Sequence, residues 1–145
     1  MKDILIRKLK AEDAEHISKI YAAITQTPVQ NDFITIIKEQ VEREEDASFI
    51  AELNGQVVGY MISIVISGGF GIKKSTWISN MGVNPKFMGQ GIGESLAKEI
   101  FKFSRVRDIE NIYTSVRWDS PDLLSFFKTL GFDRSNFINL RKVLE

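Results

Sequence analysis

Three glycines set two apart, Gly89, Gly91 and Gly93, mark where this sequence can do chemistry. They close the segment Val83-Asn84-Pro85-Lys86-Phe87-Met88-Gly89-Gln90-Gly91-Ile92-Gly93, which joins a predicted strand to a predicted helix. Glycine removes side chains from such a turn and lets backbone N–H groups converge on one point. The helix N-terminus adds positive dipole there, so a phosphate or pyrophosphate is the natural ligand. The segment is not a phosphate loop of the glycine-lysine-serine/threonine type, because Gly93 is followed by Glu94-Ser95. Nor does it have the G-x-G-x-x-G spacing of a dinucleotide fold, although Glu110 lies at a plausible distance for a ribose contact. On the glycines alone, an anion site and a turn that only fits a tight strand–helix crossing both stay open.

Composition narrows the remaining chemistry. The chain has no cysteine and one histidine, His16. Cysteine nucleophiles, thiolate metal sites, disulfides and multi-histidine zinc sites are excluded, and no metal is expected. Lysine plus arginine is 19 and aspartate plus glutamate is 19. Zero formal charge argues against a protein built to coat nucleic acid or an anionic membrane. With 145 residues, the chain fits one domain over 1–145 that folds without staples. Charges interrupt the N-terminal apolar runs, and the longest apolar stretch, Val57 to Ile66, is too short to span a bilayer. A soluble, cytoplasmic protein is expected.

The elements that must hold the turn follow from periodicity. Ile4 to Leu9 predicts a first strand. Ala11 to Ile24 predicts an amphipathic helix, ended by Thr27-Pro28. A second helix is expected from Asn31 or Asp32 as cap, with Phe33, Ile37 and Val41 on one stripe. Ser48 to Leu53 and Val57 to Ile66 predict strands joined by Asn54-Gly55, a pair suited to a type I′ turn. Gly59 suggests a bulge or a close backbone approach. Ser75 to Val83 predicts a strand, Gly91 to Ser104 a helix, and Asn111 to Arg117 a strand. Ser120-Pro121 predicts a helix start, with serine as cap, packed through Leu123, Leu124, Phe126, Phe127 and Leu130 and ended by Gly131. Phe132 to Leu144 predicts one or two last strands. A mixed α+β sheet covered by helices results.

In this order and spacing the pieces resemble the GNAT superfamily of N-acetyltransferases, over nearly the whole chain. Ile6-Arg7-Lys8-Leu9 with Glu12-Asp13-Ala14 resembles the family's opening strand and helix. Phe49 to Tyr60 resembles its hairpin. Met81 to Gly93 resembles its acetyl-CoA motif, a strand ending in valine-x-proline followed by R/Q-x-x-G-x-G/A. Leu130-Gly131-Phe132 resembles the close of its C-terminal motif. The resemblance implies an acyl-CoA N-acyltransferase fold, a mixed sheet of seven or so strands whose two central strands splay apart. It implies acetyl-CoA as acyl donor. The pantetheine arm would run along Ser79 to Val83, with Gly82 among the cofactor-binding positions, and bond backbone groups of Met81 and Val83. The pyrophosphate would sit on the amides of Met88, Gly89, Gln90, Gly91, Ile92, Gly93 and Glu94. The N–H near Val83 would polarise the thioester carbonyl.

The sequence also departs from the family pattern. Met88 replaces the usual arginine or glutamine; Lys86 is a partial substitute for its charge, and a hydrophobic capping contact is the plainer role for Met88. Phe127 stands where a tyrosine often protonates the leaving thiolate. Tyr113, Tyr60 and Ser125 are shifted candidates for that proton, each with a packing or surface role as the plainer reading. Ser120 stands where an asparagine commonly contacts pantetheine, and N-capping explains it equally well. The position of the frequent β-strand carboxylate reads Ser79-Asn80, so no base is assigned. Asp119 and Tyr113 are the candidate catalytic residues; a cap or surface role is the plainer reading for Asp119, and a solvated surface role for His16.

The resulting expectation is acetyl transfer from acetyl-CoA to a primary amine, of a small molecule or a protein, by direct attack in a ternary complex. The alternative is a non-catalytic acyl-CoA-binding module or sensor, favoured by Phe127. The N-terminal helices and the Gly68–Gly71 loop would wall the acceptor site by family analogy, with Phe33, Phe70, Trp77 and Trp118 as aromatic candidates. No nucleic acid or membrane partner is expected. Dimers are common in the family, so a homodimer is implied by resemblance only.

Overall fold

The computed structural model describes residues 3–67 and 73–145. The Gly68–Gly71 loop and Phe70 lie outside the described residues. One compact unit ends at Thr114 and a second spans Ser115–Glu145.

The first unit is a five-stranded sheet in the order β1-β2-β3-β4-β5, formed by Ile4–Lys8, Phe49–Leu53, Gln56–Ile66, Ser75–Val83 and Ile112–Thr114. All neighbouring pairs are antiparallel except β4 with β5, which run parallel. That parallel pair needs a long crossover, supplied by α3 (Ile92–Val106). The Asn54-Gly55 turn behaves as its residue types demand: φ is 53° and 79° at its two positions.

Helices cover both faces of the sheet. A short 3-10 turn (Ala11–Asp13) leads into α1 (Ala14–Thr25), and α2 (Asn31–Val41) follows. Ala14, Ile17, Ile20 and Ile37 from these helices bury against Ile50, Tyr60 and Ile62 of the sheet. On the other face, α3 brings Ile92, Leu96, Ala97 and Ile100 inward. Gly59 is the point of closest approach. A Cβ there would lie 2.8 Å from Ile92 Cγ2 and 3.5 Å from Leu96 Cδ1. The register of β2 against β3 also shifts between Ala51 and Glu52, opposite this glycine, so both expectations for Gly59 are met.

A part-buried ion pair ties β1 to the helical layer. Arg7 donates to both oxygens of Asp13 at 2.8 Å and to Glu52 at 3.1 Å. Asp13 also accepts the Lys10 N–H at 2.8 Å. Burial alone would raise the Asp13 pKa, but the Arg7 and Lys10 hydrogen bonds outweigh it and hold the carboxyl below its ordinary value.

Several expectations need correction. Asn31 begins α2 as its first helical residue rather than capping it; Gln30 holds the cap position, with no side-chain cap bond. The strand expected over Asn111 to Arg117 keeps only Ile112–Thr114. In the second unit, α4 (Pro121–Thr129) has Ser120 at its cap position, but the serine side chain makes no cap bond. Phe127 is buried there, whereas Leu123 and Leu124 are exposed. No strand forms over Phe132 to Leu144 among the described residues, and Ile138, Leu140, Val143 and Leu144 are exposed. Apolar residues suit a strand, but only a pairing partner makes one, and the local sequence cannot supply it. Among the described residues the sheet accordingly has five strands rather than about seven.

Arg7→Met should cost about 3 kcal/mol in urea unfolding, because it leaves the Asp13 carboxylate buried without its partner. Wild-type stability from this pair should hold above the ordinary carboxylate pKa of 3.8 and fall as pH drops below it, since the folded pKa is depressed. Arg7→Met should lack that acid-dependent component.

Candidate functional site

The C-terminal end of β4 meets the start of α3 through Asn84, the 3-10 turn Pro85–Phe87 and the glycine turn. Asn84 shapes the exit. Its Oδ1 accepts the Lys86 N–H at 3.0 Å, and its carbonyl accepts the Phe87 N–H at 2.8 Å. Gly89 and Gly91 then take φ of 81° and 77°, with Gly91 as the cap of α3. Only glycine adopts such angles without steric cost. A Cβ at either position would meet nothing within 4 Å, so the requirement is angular rather than spatial.

Backbone donors accumulate here. Among the described residues, no group accepts a hydrogen bond from the amides of residues 88–94; the first amide of this stretch to be satisfied is that of Ser95, which donates to Gly91 O at 3.0 Å. Seven consecutive unsatisfied N–H groups sit at the positive end of a 15-residue helix. Glu94 would oppose an anion, but its carboxylate lies 2.8 Å from Lys98 Nζ. Met88 is 67% exposed, and Lys86 is exposed as well.

The β4 edge adds a second row of backbone groups. β4 pairs with β3 along its length, but with β5 only over Thr76–Ile78. Beyond Ile78 the β5 side of β4 has no strand partner among the described residues. The Asn84 N–H donates to Val58 O at 2.8 Å. By strand alternation Gly82 and Asn80 also turn their backbone groups toward β3, while Met81 and Val83 turn theirs to the open edge. A register shift between Ile62 and Ser63 places Ser79 as the extra residue of β4, and Ser79 Oγ donates to Ile62 O at 3.3 Å.

A family model for the acetyltransferase (GNAT) family matches residues 14–132. The chain belongs to this GNAT acetyltransferase family. Solved structures share its acyl-CoA N-acyltransferase fold. An aminoglycoside N-acetyltransferase in complex with CoA superposes with a TM-score of 0.84 at 14% identity, covering 99% of this chain and 96% of that one. A transcriptional regulator from Bacillus halodurans C-125 gives 0.83 at 18% identity, with 98% and 100% covered. A ribosomal-protein-alanine N-acetyltransferase from Brucella melitensis biovar Abortus 2308 gives 0.75 at 14% identity, with 99% and 100% covered. The mixed sheet of the GNAT fold is thus present here, with the pairing of β4 to β5 ending at Ile78.

The other residues singled out in the sequence fall as follows. Tyr60 is fully buried on β3, and its hydroxyl donates to Asn80 Oδ1 at 3.3 Å. Tyr113 is half-buried on β5 and stacks on Trp77, with ring centroids 4.8 Å apart. Phe33 stacks on Tyr21 of α1 at 4.7 Å. His16 is exposed. In the second unit, Asp119 is exposed and held bidentate by Arg117 at 2.9 Å. The Arg117 hydrogen bond lowers the Asp119 pKa, which weakens it as a proton acceptor. Trp118 and Ser125 are exposed, and Ser120 is partly buried. Phe127 packs between the Phe126 and Phe132 rings at 5.1 Å from each and carries no proton to give. Among the described residues no cluster of metal-ligating side chains forms, and no helix is long and apolar enough to cross a membrane.

A pocket of about 570 Å³ elsewhere in the first unit is lined by Lys8, Val41, Asp46, Phe103 and Arg107, among others, and by no residue of β4 or the turn. Lys8 bonds Asp46 there, and Arg107 lies 3.4 Å from the centre of the Phe103 ring; Arg43, Glu44, Glu99 and Lys102 also line it.

Gly91→Ala should lower unfolding stability by about 1–2 kcal/mol through left-handed backbone strain alone. Chemical denaturation checks this, with Gln90→Ala expected to stay within about 0.5 kcal/mol of wild type.

Proposed function

We propose that this chain transfers an acetyl group from acetyl-CoA to a primary amine by direct attack within a ternary complex. The observation that supports it most is the run of seven open amides at the start of α3 beside the open edge of β4. A pyrophosphate suits the first, because it needs convergent donors and carries the charge that the helix end favours. A pantetheine arm suits the second, because its amides can pair with Met81 and Val83 as a strand would.

In this reading residues 1–145 act as one acetyltransferase domain, in the cytoplasm. The Val83 N–H stabilises negative charge developing on the thioester oxygen as the amine nitrogen attacks the carbonyl carbon. A C–N bond forms and the C–S bond breaks. The nitrogen loses its proton to water. The sulfur leaves as a thiolate, tolerable for a thiol of pKa about 8.5, and takes a proton from water. No cysteine is present, so no acyl-cysteine intermediate forms. Rate then comes from orientation and oxyanion stabilisation, with no acid required at Phe127. The names of the similar structures include an aminoglycoside and a ribosomal-protein-alanine acetyltransferase, whose common element is an amine acceptor.

The second reading, an acyl-CoA sensor without turnover, draws on the buried, hydroxyl-free ring of Phe127. An amine panel assayed with acetyl-CoA separates the two: transfer to any amine supports the enzyme, and tight binding without transfer supports the sensor.

Acetyl-CoA at about 100 times its Kd should stabilise the fold by about 2.7 kcal/mol, read as a rise in melting temperature. Gly91→Asp should abolish that rise, since it sets a carboxylate at the phosphate position. An undiminished rise in this variant overturns the site.

A further inference from the structure

Asn80 and Tyr60 form a polar pair that the transfer step just described does not use. Tyr60 lies on β3 directly opposite Gly82 of β4. The absent side chain at Gly82 is what admits its ring: a Cβ there would lie 2.8 Å from both Tyr60 Cε1 and Ile24 Cδ1. The phenol therefore lies across β4, beneath α1, and its hydroxyl reaches Asn80 two residues upstream. Tyr60 is fully buried, whereas Asn80 is partly exposed. The pair thus runs from the core outward, next to Met81, whose backbone faces the open edge.

We propose that Asn80, oriented by Tyr60, recognises the acceptor and selects amines that carry a hydroxyl or carbonyl oxygen close to the reacting nitrogen. This rests on the acetyltransferase reading and deepens it. A carboxamide has one acceptor atom and one donor group. The Tyr60 hydroxyl donates to Oδ1, which leaves the Nδ2 hydrogens as the group on offer. Among the described residues nothing accepts from Nδ2. An N–H donor attracts an oxygen lone pair and gives an ammonium nothing to bind. Burial first, and then Tyr21, push the Tyr60 hydroxyl well above its ordinary pKa, so it stays a donor through neutral and mildly alkaline pH. The groups around it are uncharged: Tyr21 and Ile24 from α1, Phe33 stacked on Tyr21 from α2, and Gly82 from β4. No carboxylate contacts either member of the pair among the described residues. The Tyr21–Phe33 stack adds an aromatic surface on the same helical layer, suited to the apolar part of such an acceptor.

The test uses a matched pair of amines, 2-amino-1-phenylethanol and 2-phenylethylamine, which differ only in the hydroxyl. Calorimetric binding to the CoA-loaded full chain should favour the amino alcohol about tenfold, the effect of one net hydrogen bond to a polar group. Asn80→Ala should erase that preference and leave the acetyl-CoA Kd unchanged. Tyr60→Phe keeps the ring and its packing but frees the amide. It should reduce the preference to a few-fold, with the loss in acceptor KM rather than in kcat. Equal affinity for the two amines, binding of neither, or a preference that survives Asn80→Ala each overturns the inference. If the preference appears in binding but no amine is acetylated, the acetyltransferase reading fails, and of this inference only the recognition of the amino alcohol by Asn80 stands. If amines are acetylated without preference, only this inference falls.

Discussion

β4 can satisfy both of its edges for only three residues. Over Thr76–Ile78 it bonds β3 on one side and β5 on the other; beyond that it bonds β3 alone. An open backbone edge inside a covered sheet is costly unless something completes it. The rest of the first unit is arranged around that gap. The bulge at Ser79 shifts the strand's phase just where the pairing ends, so Met81 and Val83 face the opening. The glycine turn then sets the α3 amides at the end of the same strand. Gly59 lets α3 settle close to the sheet, through its contact with Ile92 at the first helical residue. Moving α3 outward by one methyl group would move the amide row with it.

The supporting layer is fixed at a distance from this gap. The Arg7–Asp13 pair joins β1 to the start of the α1 segment, and Glu52 ties Arg7 to β2. α1 in turn delivers Ile24 over Gly82 and Tyr21 toward Tyr60. A charged interaction at one end of the helix thereby helps set the neutral surroundings of Asn80. On the other face, the buried Thr76–Ser104 hydroxyl contact at 2.8 Å holds α3 to the paired part of β4.

What could be read from the sequence was local. Asn54-Gly55 announced its turn because both positions need positive φ, and Gly89 and Gly91 announced theirs for the same reason. Helix stripes were legible because a helix contacts its own neighbours at short spacing. The site's amide row needed only the glycines and a helix start. The Tyr60–Asn80–Gly82 group was not legible. Its members meet through the β3–β4 register, and the connection between those strands is long, so no short turn dictates which residues face each other. Gly82 stood in a motif read for its backbone, which hid its second use as room for a tyrosine ring. The expected C-terminal strands failed for a related reason: the apolar residues of Phe132 to Leu144 describe one half of a pairing, and the other half is not encoded nearby.

The seven open amides have a consequence for how freely this protein can change. A main-chain donor belongs to every residue except proline. At Met88, Gln90 and Glu94 the side chain is exposed and owes nothing to the row of N–H groups. Only Gly89 and Gly91 are held by their angles, and Ile92 by its seat against Gly59. A ligand gripped in this way is indifferent to most of the alphabet along the grip. Substitutions can accumulate there one at a time without passing through a form that has lost the donors. The row of donors is thus kept whatever side chains stand at Met88, Gln90 and Glu94.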